Sequence, residues 1–246
     1  MLVGNVDPGA LAVRAPEVPV FHRSEIRFAG VTCLQLSAEM RNSARESVLP
    51  PSLHPTIPPA LSLQIYAVDE SDWGAFRYAC VRVSCRSGVR ARGFTTGAVV
   101  DGDIKVLQGM RSLLGFPAVA GTIRLRHGYD GVSASVVQDG AVTLAVEGID
   151  PEPLGNDDVQ YTGTLNLAQT PNGLRLMQIE SHTTSAQAER LRARLLTFGG
   201  AAWGNELLVP ARVIAASVAT MELVYPPVRF VCRPDELAFT GTEPVS

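Results

Sequence analysis

Residues 61–100, LSLQIYAVDESDWGAFRYACVRVSCRSGVRARGFTTGAVV, decide the fold class of this chain. They contain three runs rich in Val, Ile, Tyr and Phe, at 61–68, 76–84 and 89–99, and clusters of Asp, Ser and Gly separate these runs. β-Branched and aromatic residues favour strands, whereas such clusters favour tight turns. The stretch therefore predicts consecutive strands of an antiparallel sheet.

The same pattern continues on both sides and predicts a mainly β protein. The dipeptides Asp101-Gly102 and Asp139-Gly140 each separate two apolar runs and favour a tight hairpin turn. The sequence Thr-Pro-Asn-Gly at 170–173 predicts another hairpin. Further strands are expected at 26–36, 104–107, 121–127, 132–137, 141–146, 160–167, 174–181, 213–224 and 228–231.

Three segments have the composition of helices. Residues 38–46 combine helix-favouring side chains with charges and predict a short surface helix. Residues 109–114 predict a helical turn that ends before Pro117, because a residue that precedes proline is displaced from helical backbone angles. Residues 186–198 predict the best helix of the chain, with leucines on one side and arginines on the other, and Gly199 at its end.

The chain is expected to form one domain. Prolines at 50, 51, 55, 58 and 59 predict a rigid crossing segment, since each fixes φ and lacks a backbone donor. No internal repeat and no linker composition divides the sequence. We expect an extended arm at 1–22, a single domain at 23–235, and a mobile tail at 236–246.

Composition limits the partners and the compartment. The formal net charge of −3 gives no electrostatic footprint for nucleic acid, and no apolar run approaches the roughly 20 residues that cross a bilayer. The four cysteines form no C-x-x-C pair, and the four histidines are far apart in sequence. We therefore expect a cytoplasmic protein with buried, reduced cysteines and no metal or other cofactor.

Three sequence features together resemble the acetoacetate decarboxylase family, over roughly 26–232. They are Leu-Pro-Pro-Ser-Leu at 49–53, Val-Asp-Gly-Asp at 100–103 leading through Arg111 to Gly115-Phe116-Pro117, and Met-Glu-Leu-Val-Tyr-Pro at 221–226. The resemblance implies a mostly antiparallel, cone-like β-barrel with a few short helices and an active site within the sheet. It also implies a homo-oligomer that acts on a small-molecule substrate.

The residues that carry the family's chemistry are replaced. The family motif has a glutamate after its arginine and two lysines after its proline, where this chain has Ser112, Ala118 and Val119. The family also uses a glutamate and an arginine in neighbourhoods that here read Tyr-Ala-Cys at 78–80 and Gly-Val-Thr at 30–32. Arginine stays protonated, whereas a desolvated lysine can attack a carbonyl and form an imine. Lys105 is the only lysine, so an imine requires Lys105 or the amino terminus.

Seven residues are candidates for the site. Arg111, Glu222 and Tyr78 are the catalytic candidates, and Gln108, Ser112, Phe116 and Ala118 the substrate-binding ones. Arg111 could bind a carboxylate or enolate of a substrate through paired donors, or it could form a structural ion pair. Glu222 lies in an apolar run where burial would raise its pKa, unless the strand turns it outward. Tyr78 polarises a carbonyl or simply belongs to the core.

The sequence supports three hypotheses about function. The first is an enzyme of specialised, polyketide-like metabolism that works without an imine as a cyclase, isomerase or dehydratase, because orientation in a pocket alone lowers a barrier. The second is a non-catalytic small-molecule binding protein. The third is a decarboxylase or aldolase-type enzyme that uses Lys105.

Overall fold

The computed structural model describes residues 2–155, 158–159 and 161–245 and consists mostly of strands. Its helices are α1 (Pro8–Ala12), α2 (Ile104–Ser112) and α3 (Ala238–Gly241), and 3-10 turns lie at Asn42–Ala44 and Gly200–Trp203. The strands are β1 (Ile26–Met40), β2 (His54–Pro55), β3 (Ala60–Ser71), β4 (Phe76–Ser87), β5 (Arg90–Asp101), β6 (Ala118–Ala120), β7 (Thr122–Gly128), β8 (Gly131–Gln138), β9 (Ala141–Leu154), β10 (Thr164–Thr170), β11 (Gly173–Ile179), β12 (His182–Phe198), β13 (Pro210–Tyr225), β14 (Phe230–Cys232) and β15 (Thr242–Pro244).

All of these strands belong to one sheet, in which nearly all pairs are antiparallel. The strand order is β15-β14-β11-β10-β5-β4-β3-β1-β13-β12-β9-β8-β7, while β2 pairs with β4 and β6 pairs with β5. The predicted strands at 61–68, 76–84 and 89–99 are confirmed as β3, β4 and β5, which pair consecutively. A mainly β fold, as the sequence predicts, is therefore confirmed.

The edge of β5 that faces away from β4 pairs with two different strands. Its residues 93–94 pair with β10, and its residues 98–100 pair with β6. Because Gly121 separates β6 from β7 by one residue, and its amide donates to the carbonyl of Val100 at 3.0 Å, the β6–β7 segment continues along β5. The circuit β5-β4-β3-β1-β13-β12-β9-β8-β7-β6 thereby returns to β5 and closes.

The strands β1, β3, β4, β5 and β13 have a hydrophobic core on each face. We call the core inside the closed circuit the closed core; it includes Leu34, Leu63 and Val81 together with residues of β7, β8 and β9. We call the core on the opposite face the cone core; it includes Cys33, Tyr66 and residues of β10, β11 and β14. Alternation of side chains along each shared strand thus supplies both cores.

The predicted helix at 186–198 is wrong, because these residues form the long strand β12. β12 pairs with β13 on one side and with β9 on the other, so its backbone groups have strand partners. Its arginines form cross-strand ion pairs, Arg190 with Glu152 and Arg192 with Asp150. Tertiary pairing therefore outweighs helix propensity here.

Two other predictions of local structure are also wrong. Residues 38–40 continue β1 where a helix over 38–46 is predicted, because they pair with β3 and β13. Residues 104–107 form the first turns of α2 rather than a strand, so Asp101-Gly102 leads from β5 into a helix and not into a hairpin. The hairpins at Asp139-Gly140 and at 170–173 are confirmed, and Asp139 has the positive φ of 49° that such a tight turn requires.

The chain ends are packed against the sheet. At the amino-terminal end, residues 8–12 form α1 where an extended arm is predicted, and the amide of Gly4 donates to the carbonyl of Leu53 at 2.8 Å. At the other end, β15 pairs with β14 where a mobile tail is predicted. The division into an arm, a domain and a tail stays a prediction. Within the described residues, no helix has the length and apolar character that a membrane span requires.

Candidate active site in the cone core

A polar cavity lies within the cone core. Its wall includes side chains of β3, β4, β12 and β13, together with Phe116 and Tyr161. Gly115, which follows α2 with a φ of 66°, allows the turn that brings Phe116 into this wall. We call this space the cone cavity.

Arg82 of β4 is the cation of the cone cavity, and it is 4% exposed. Its guanidinium donates to Oε1 of Gln64, to the carbonyl of Thr162 at 3.2 Å and to Oγ1 of Thr164 at 2.5 Å. All of these acceptors are neutral, and no carboxylate of the described residues lies within ion-pair distance of Arg82. A buried positive charge therefore faces the cavity without a negative partner in the described part of the chain.

The fold makes room for this side chain on the neighbouring strand. At Gly93 of β5, a Cβ atom would lie 3.2 Å from both Cβ and Cδ of Arg82. Such a contact is tighter than ordinary van der Waals packing. Gly93 thus allows Arg82 to lie close to β5 while its guanidinium reaches Gln64 and Thr164.

Gln64 of β3 connects the polar groups of the cavity, and it is 1% exposed. Its Oε1 accepts from Arg82 and from the Tyr66 hydroxyl at 2.8 Å, while its Nε2 donates to Oε1 of Gln35. A buried polar network of this kind fixes side-chain positions, because each unmade hydrogen bond would be costly. The network holds Arg82 and Tyr66 in place.

Tyr78 and Tyr225 add two further hydroxyls to the cavity. Their oxygens are 3.0 Å apart, and the ring of Tyr78 stacks on that of Tyr66 with centroids 4.2 Å apart. Burial raises the pKa of all three tyrosines above the ordinary value. These hydroxyls are therefore neutral at physiological pH and can donate hydrogen bonds to a ligand oxygen.

The two thiols beside the cavity are also protonated. Burial raises the pKa of Cys33 to about 12, and it raises the pKa of Cys80 as well. A thiol is a good nucleophile only as thiolate, and a depressed pKa is the usual sign of one. The nearby guanidinium of Arg82 opposes this shift, but burial outweighs it, so neither cysteine is held as a thiolate.

The free volume of the cone cavity is small. It measures about 10 Å³, which is room for about one water molecule. A ligand larger than water therefore enters only if the cavity widens.

Two of the predicted site residues lie in the wall of the cone cavity, namely Tyr78 and Phe116. Ala118 is buried in the cone core at the start of β6, and its carbonyl accepts from the Arg111 guanidinium at 2.8 Å. That hydrogen bond gives Arg111 a structural contact between α2 and β6. The structure thus brings Tyr78, Phe116 and Ala118 into one core and leaves Arg111 at its edge.

The other predicted residues lie away from the cone cavity. Gln108 and Lys105 of α2 are exposed, and the hydroxyl of Ser112 donates to the carbonyl of Gln108 at 2.7 Å. Glu222 is exposed as well, because its buried neighbours in β13, Met221 and Leu223, point to the cone core. Its Oε1 accepts from the amide of Gly30 at 3.4 Å.

Sequence reasoning missed most of the cavity wall, including its polar residues Arg82, Gln64, Tyr66 and Tyr225. A signal was present. In β3 and β4 the even-numbered positions 64, 66, 78, 80 and 82 are Gln, Tyr, Tyr, Cys and Arg, whereas the odd positions between them are Ile, Ala and Val. When adjacent strands have polar side chains on one face and apolar side chains on the other, the polar face is a candidate for the wall of a cavity.

The acetoacetate decarboxylase family model matches residues 14–195, which is most of the chain. The protein therefore belongs to the acetoacetate decarboxylase family. No curated protein sequence matches it.

Solved structures agree on the fold. An acetoacetate decarboxylase from Legionella pneumophila is 17% identical, with a TM-score of 0.73 over 87% of this chain and 88% of the other. The enduracididine biosynthesis enzyme MppR, solved with pyruvate, is 14% identical, with a TM-score of 0.69 over 85% and 90%. An acetoacetate decarboxylase-like enzyme from Sphingomonas wittichii RW1 is also 14% identical, with a TM-score of 0.68 over 85% and 93%. At these identities the likeness shows the cone-like fold alone.

Proposed function

We propose that this protein is a small-molecule enzyme of specialised metabolism that works without an imine. The reaction is of the cyclase, isomerase or dehydratase type, on an oxygenated, polyketide-like substrate held in the cone cavity. The observation that carries the proposal is the buried guanidinium of Arg82 beside three tyrosine hydroxyls, in a cavity whose described wall contains no lysine. That MppR is an enzyme of biosynthesis on the same fold supports the enzymatic reading.

Arg82 supplies the positive charge of the proposed site. A guanidinium binds planar anionic oxygens through paired donors, and a buried charge without a partner is strongly unfavourable. Nε of Arg82 has no hydrogen-bond partner among the described residues. A substrate that brings a carboxylate or an enolate oxygen would neutralise this charge and bind in a fixed orientation.

The tyrosine hydroxyls act on a second oxygen of the substrate. Tyr78 and Tyr225 remain protonated because burial raises the pKa of both, so either hydroxyl can donate to a carbonyl oxygen. Donors placed in a site that excludes water stabilise negative charge as it develops on that oxygen. Together with Arg82 they stabilise the enol form that a β-dicarbonyl substrate brings into the site, so the protein itself removes no proton.

The cavity lacks a strong base among its described groups. Its thiols and phenols are held in the neutral form, as their raised pKa values indicate. Proton abstraction by the protein is therefore disfavoured, and rate enhancement comes from holding two reacting parts of one flexible molecule together. Such positioning contributes up to about 7–11 kcal/mol in well-oriented intramolecular reactions.

The proposal is tested with short linear β-polyketo acids, whose cyclised or dehydrated products are followed by liquid chromatography and mass spectrometry. We compare the wild type with Arg82→Gln and with Arg86→Gln, an exposed arginine of the same strand. We expect the wild type and Arg86→Gln to form product at similar rates, and both to form it faster than Arg82→Gln. Equal rates with Arg82→Gln would contradict the proposal.

Trapping with borohydride tests imine chemistry in the same samples. Lys105 is exposed at the start of α2, away from the cone cavity, so we expect no reduced adduct with β-keto or 2-oxo acids. An adduct that disappears in Lys105→Ala would instead support a decarboxylase or aldolase-type enzyme that uses this lysine.

A second candidate is a binding protein without catalysis. The small volume of the cone cavity and its lack of a described base favour this reading. A ligand that binds the folded state raises the melting temperature. A stabilising polyketo acid that is never converted, in the presence of an intact Arg82, would identify a binding protein.

We also propose that the protein is cytoplasmic and forms a homo-oligomer. Light scattering of the purified chain measures its mass, and a value of 26.2 kDa would contradict the oligomer.

A further inference from the structure

A second cavity lies outside the cone core, between α1 and β5. Along one edge of β5, β10 pairs with residues 93–94 and β6 pairs with residues 98–100. The cavity lies at the gap between these two paired segments. Its wall includes Thr96 of β5, Pro117 before β6 and Leu167 of β10. We call this space the α1 cavity.

The α1 cavity has mostly apolar walls, although Thr95, Thr96 and Asn205 also line it. Leu11 and Ala15 cover it from the amino-terminal segment, and Val48 and Phe94 close it from the closed core. Its volume of about 70 Å³ is room for about five waters. An acid of about six carbon atoms has a chain of that size.

Arg14 is the only charged side chain among the described residues that line the α1 cavity. No described residue accepts a hydrogen bond from its guanidinium or forms an ion pair with it. Arg14 is exposed to solvent at the mouth of the cavity, and partial desolvation of its side chain lowers its pKa. The cavity therefore combines a largely apolar interior with a positive charge at its mouth.

Gly204 lies between β5 and Arg14. This residue has a φ of 106°, and a Cβ there would lie 2.3 Å from the carbonyl oxygen of Thr96 and 2.7 Å from Nη1 of Arg14. Glycine therefore allows the 3-10 turn to pack closely on β5, with the guanidinium of Arg14 beside it.

We propose that the α1 cavity is a second binding site, which takes a short monocarboxylic acid with its alkyl chain between α1 and β5 and its carboxylate on Arg14. A guanidinium and a carboxylate form a charge-assisted, paired hydrogen bond, and the apolar walls bury the chain. This proposal is independent of the function proposed for the cone cavity.

The test is isothermal titration calorimetry with sodium hexanoate in an Arg82→Gln background, so that an acid in the cone cavity does not contribute. Hexanamide is the neutral probe of matched size. We expect hexanoate to bind and hexanamide to bind at least about tenfold more weakly, since the neutral amide accepts from the guanidinium without the opposite charge of a carboxylate.

Three further variants locate the site in the same background. Arg14→Gln should weaken hexanoate binding roughly ten- to a hundredfold, while Arg41→Gln, which changes an exposed arginine far from either cavity wall, should leave it unchanged. Ala10→Phe keeps Arg14 but fills the cavity from the exposed side of α1, and it should also abolish binding.

Either of two results would overturn the proposal. One is unchanged hexanoate affinity in both Arg14→Gln and Ala10→Phe, and the other is no binding in the Arg82→Gln background although the wild type binds. Circular dichroism of each variant establishes that loss of binding does not reflect loss of fold.

Discussion

The closed core and the cone core are built on opposite faces of the same strands, and yet they differ in chemistry. In β3, Leu61, Leu63 and Ile65 enter the closed core. Gln64 and Tyr66, one position along, face the cone cavity. Buried polar groups cost free energy unless they are satisfied, and the cone core contains a connected set of them. This contrast is one reason for our proposal that the site lies in the cone core.

The largest effect on stability is expected in the closed core. Leu63 is fully buried there, and Leu63→Ala removes apolar contacts and leaves a cavity, at a cost of about 2–5 kcal/mol in the free energy of unfolding. Urea denaturation measures it. A cost below 1 kcal/mol would mean that the closed core is loosely packed, and the contrast between the two halves would then fail.

The next largest effect is expected on activity. Arg82→Gln removes the only cation described in the cone cavity, and the rate should fall roughly 10²–10³-fold, as it does when one preorganised oxyanion donor is lost. Arg86→Gln is the matched control. Should Arg82→Gln instead keep its rate and lose stability like a closed-core variant, Arg82 would have a structural role.

A smaller effect is expected for the tyrosine pair. Tyr225→Phe keeps the ring beside Phe28 but removes the hydroxyl that meets Tyr78, at a cost of about 1 kcal/mol. Tyr129→Phe, at a fully exposed position, should change nothing. The two variants are compared by thermal unfolding, and an equal effect in both would show that this hydrogen bond does not contribute to stability.

The smallest effect concerns two thiols, one in each core. Burial raises the pKa of both Cys33 in the cone core and Cys85 in the closed core from 9.0 to about 12. The unfolded thiol ionises near pH 9 while the folded one stays protonated, so stability is full below about pH 9 and falls as the pH rises towards about 12.

Between pH 8 and pH 9.5 each thiol should account for somewhat less than roughly 1 kcal/mol of this loss. Urea denaturation at both pH values measures the slope, and Cys33→Ala and Cys85→Ala should each flatten it by a similar amount. A much smaller change for Cys33→Ala would show that the cone core is more hydrated than the closed core.

The sequence predicts the sheet better than it predicts the site. Runs such as β3 and β4 alternate and contain β-branched residues, so local composition and tertiary pairing agree. In β12 they disagree, because Leu, Ala and Arg favour a helix while two flanking strands impose an extended backbone.

The site was harder to predict because it depends on which side of each strand faces inward. The family motif pointed to the surroundings of Phe116 and Ala118, and these lie in the cone core. Arg82 has no counterpart in that motif, and its position in the cavity depends on the register that sets it opposite Ser62 and Thr95 on neighbouring strands. Glu222 was predicted as a site residue, but alternation along β13 places its side chain on the solvent face, between two buried neighbours.

Lys105 has a practical consequence. It is the single lysine of the chain, and it is exposed on α2, outside the walls of both cavities. Amine-reactive dyes or surface-coupling reagents should therefore attach at this position and at the amino terminus alone. A fluorophore or a sensor surface can thus be joined to the folded protein through Lys105 without modifying any residue that lines either cavity.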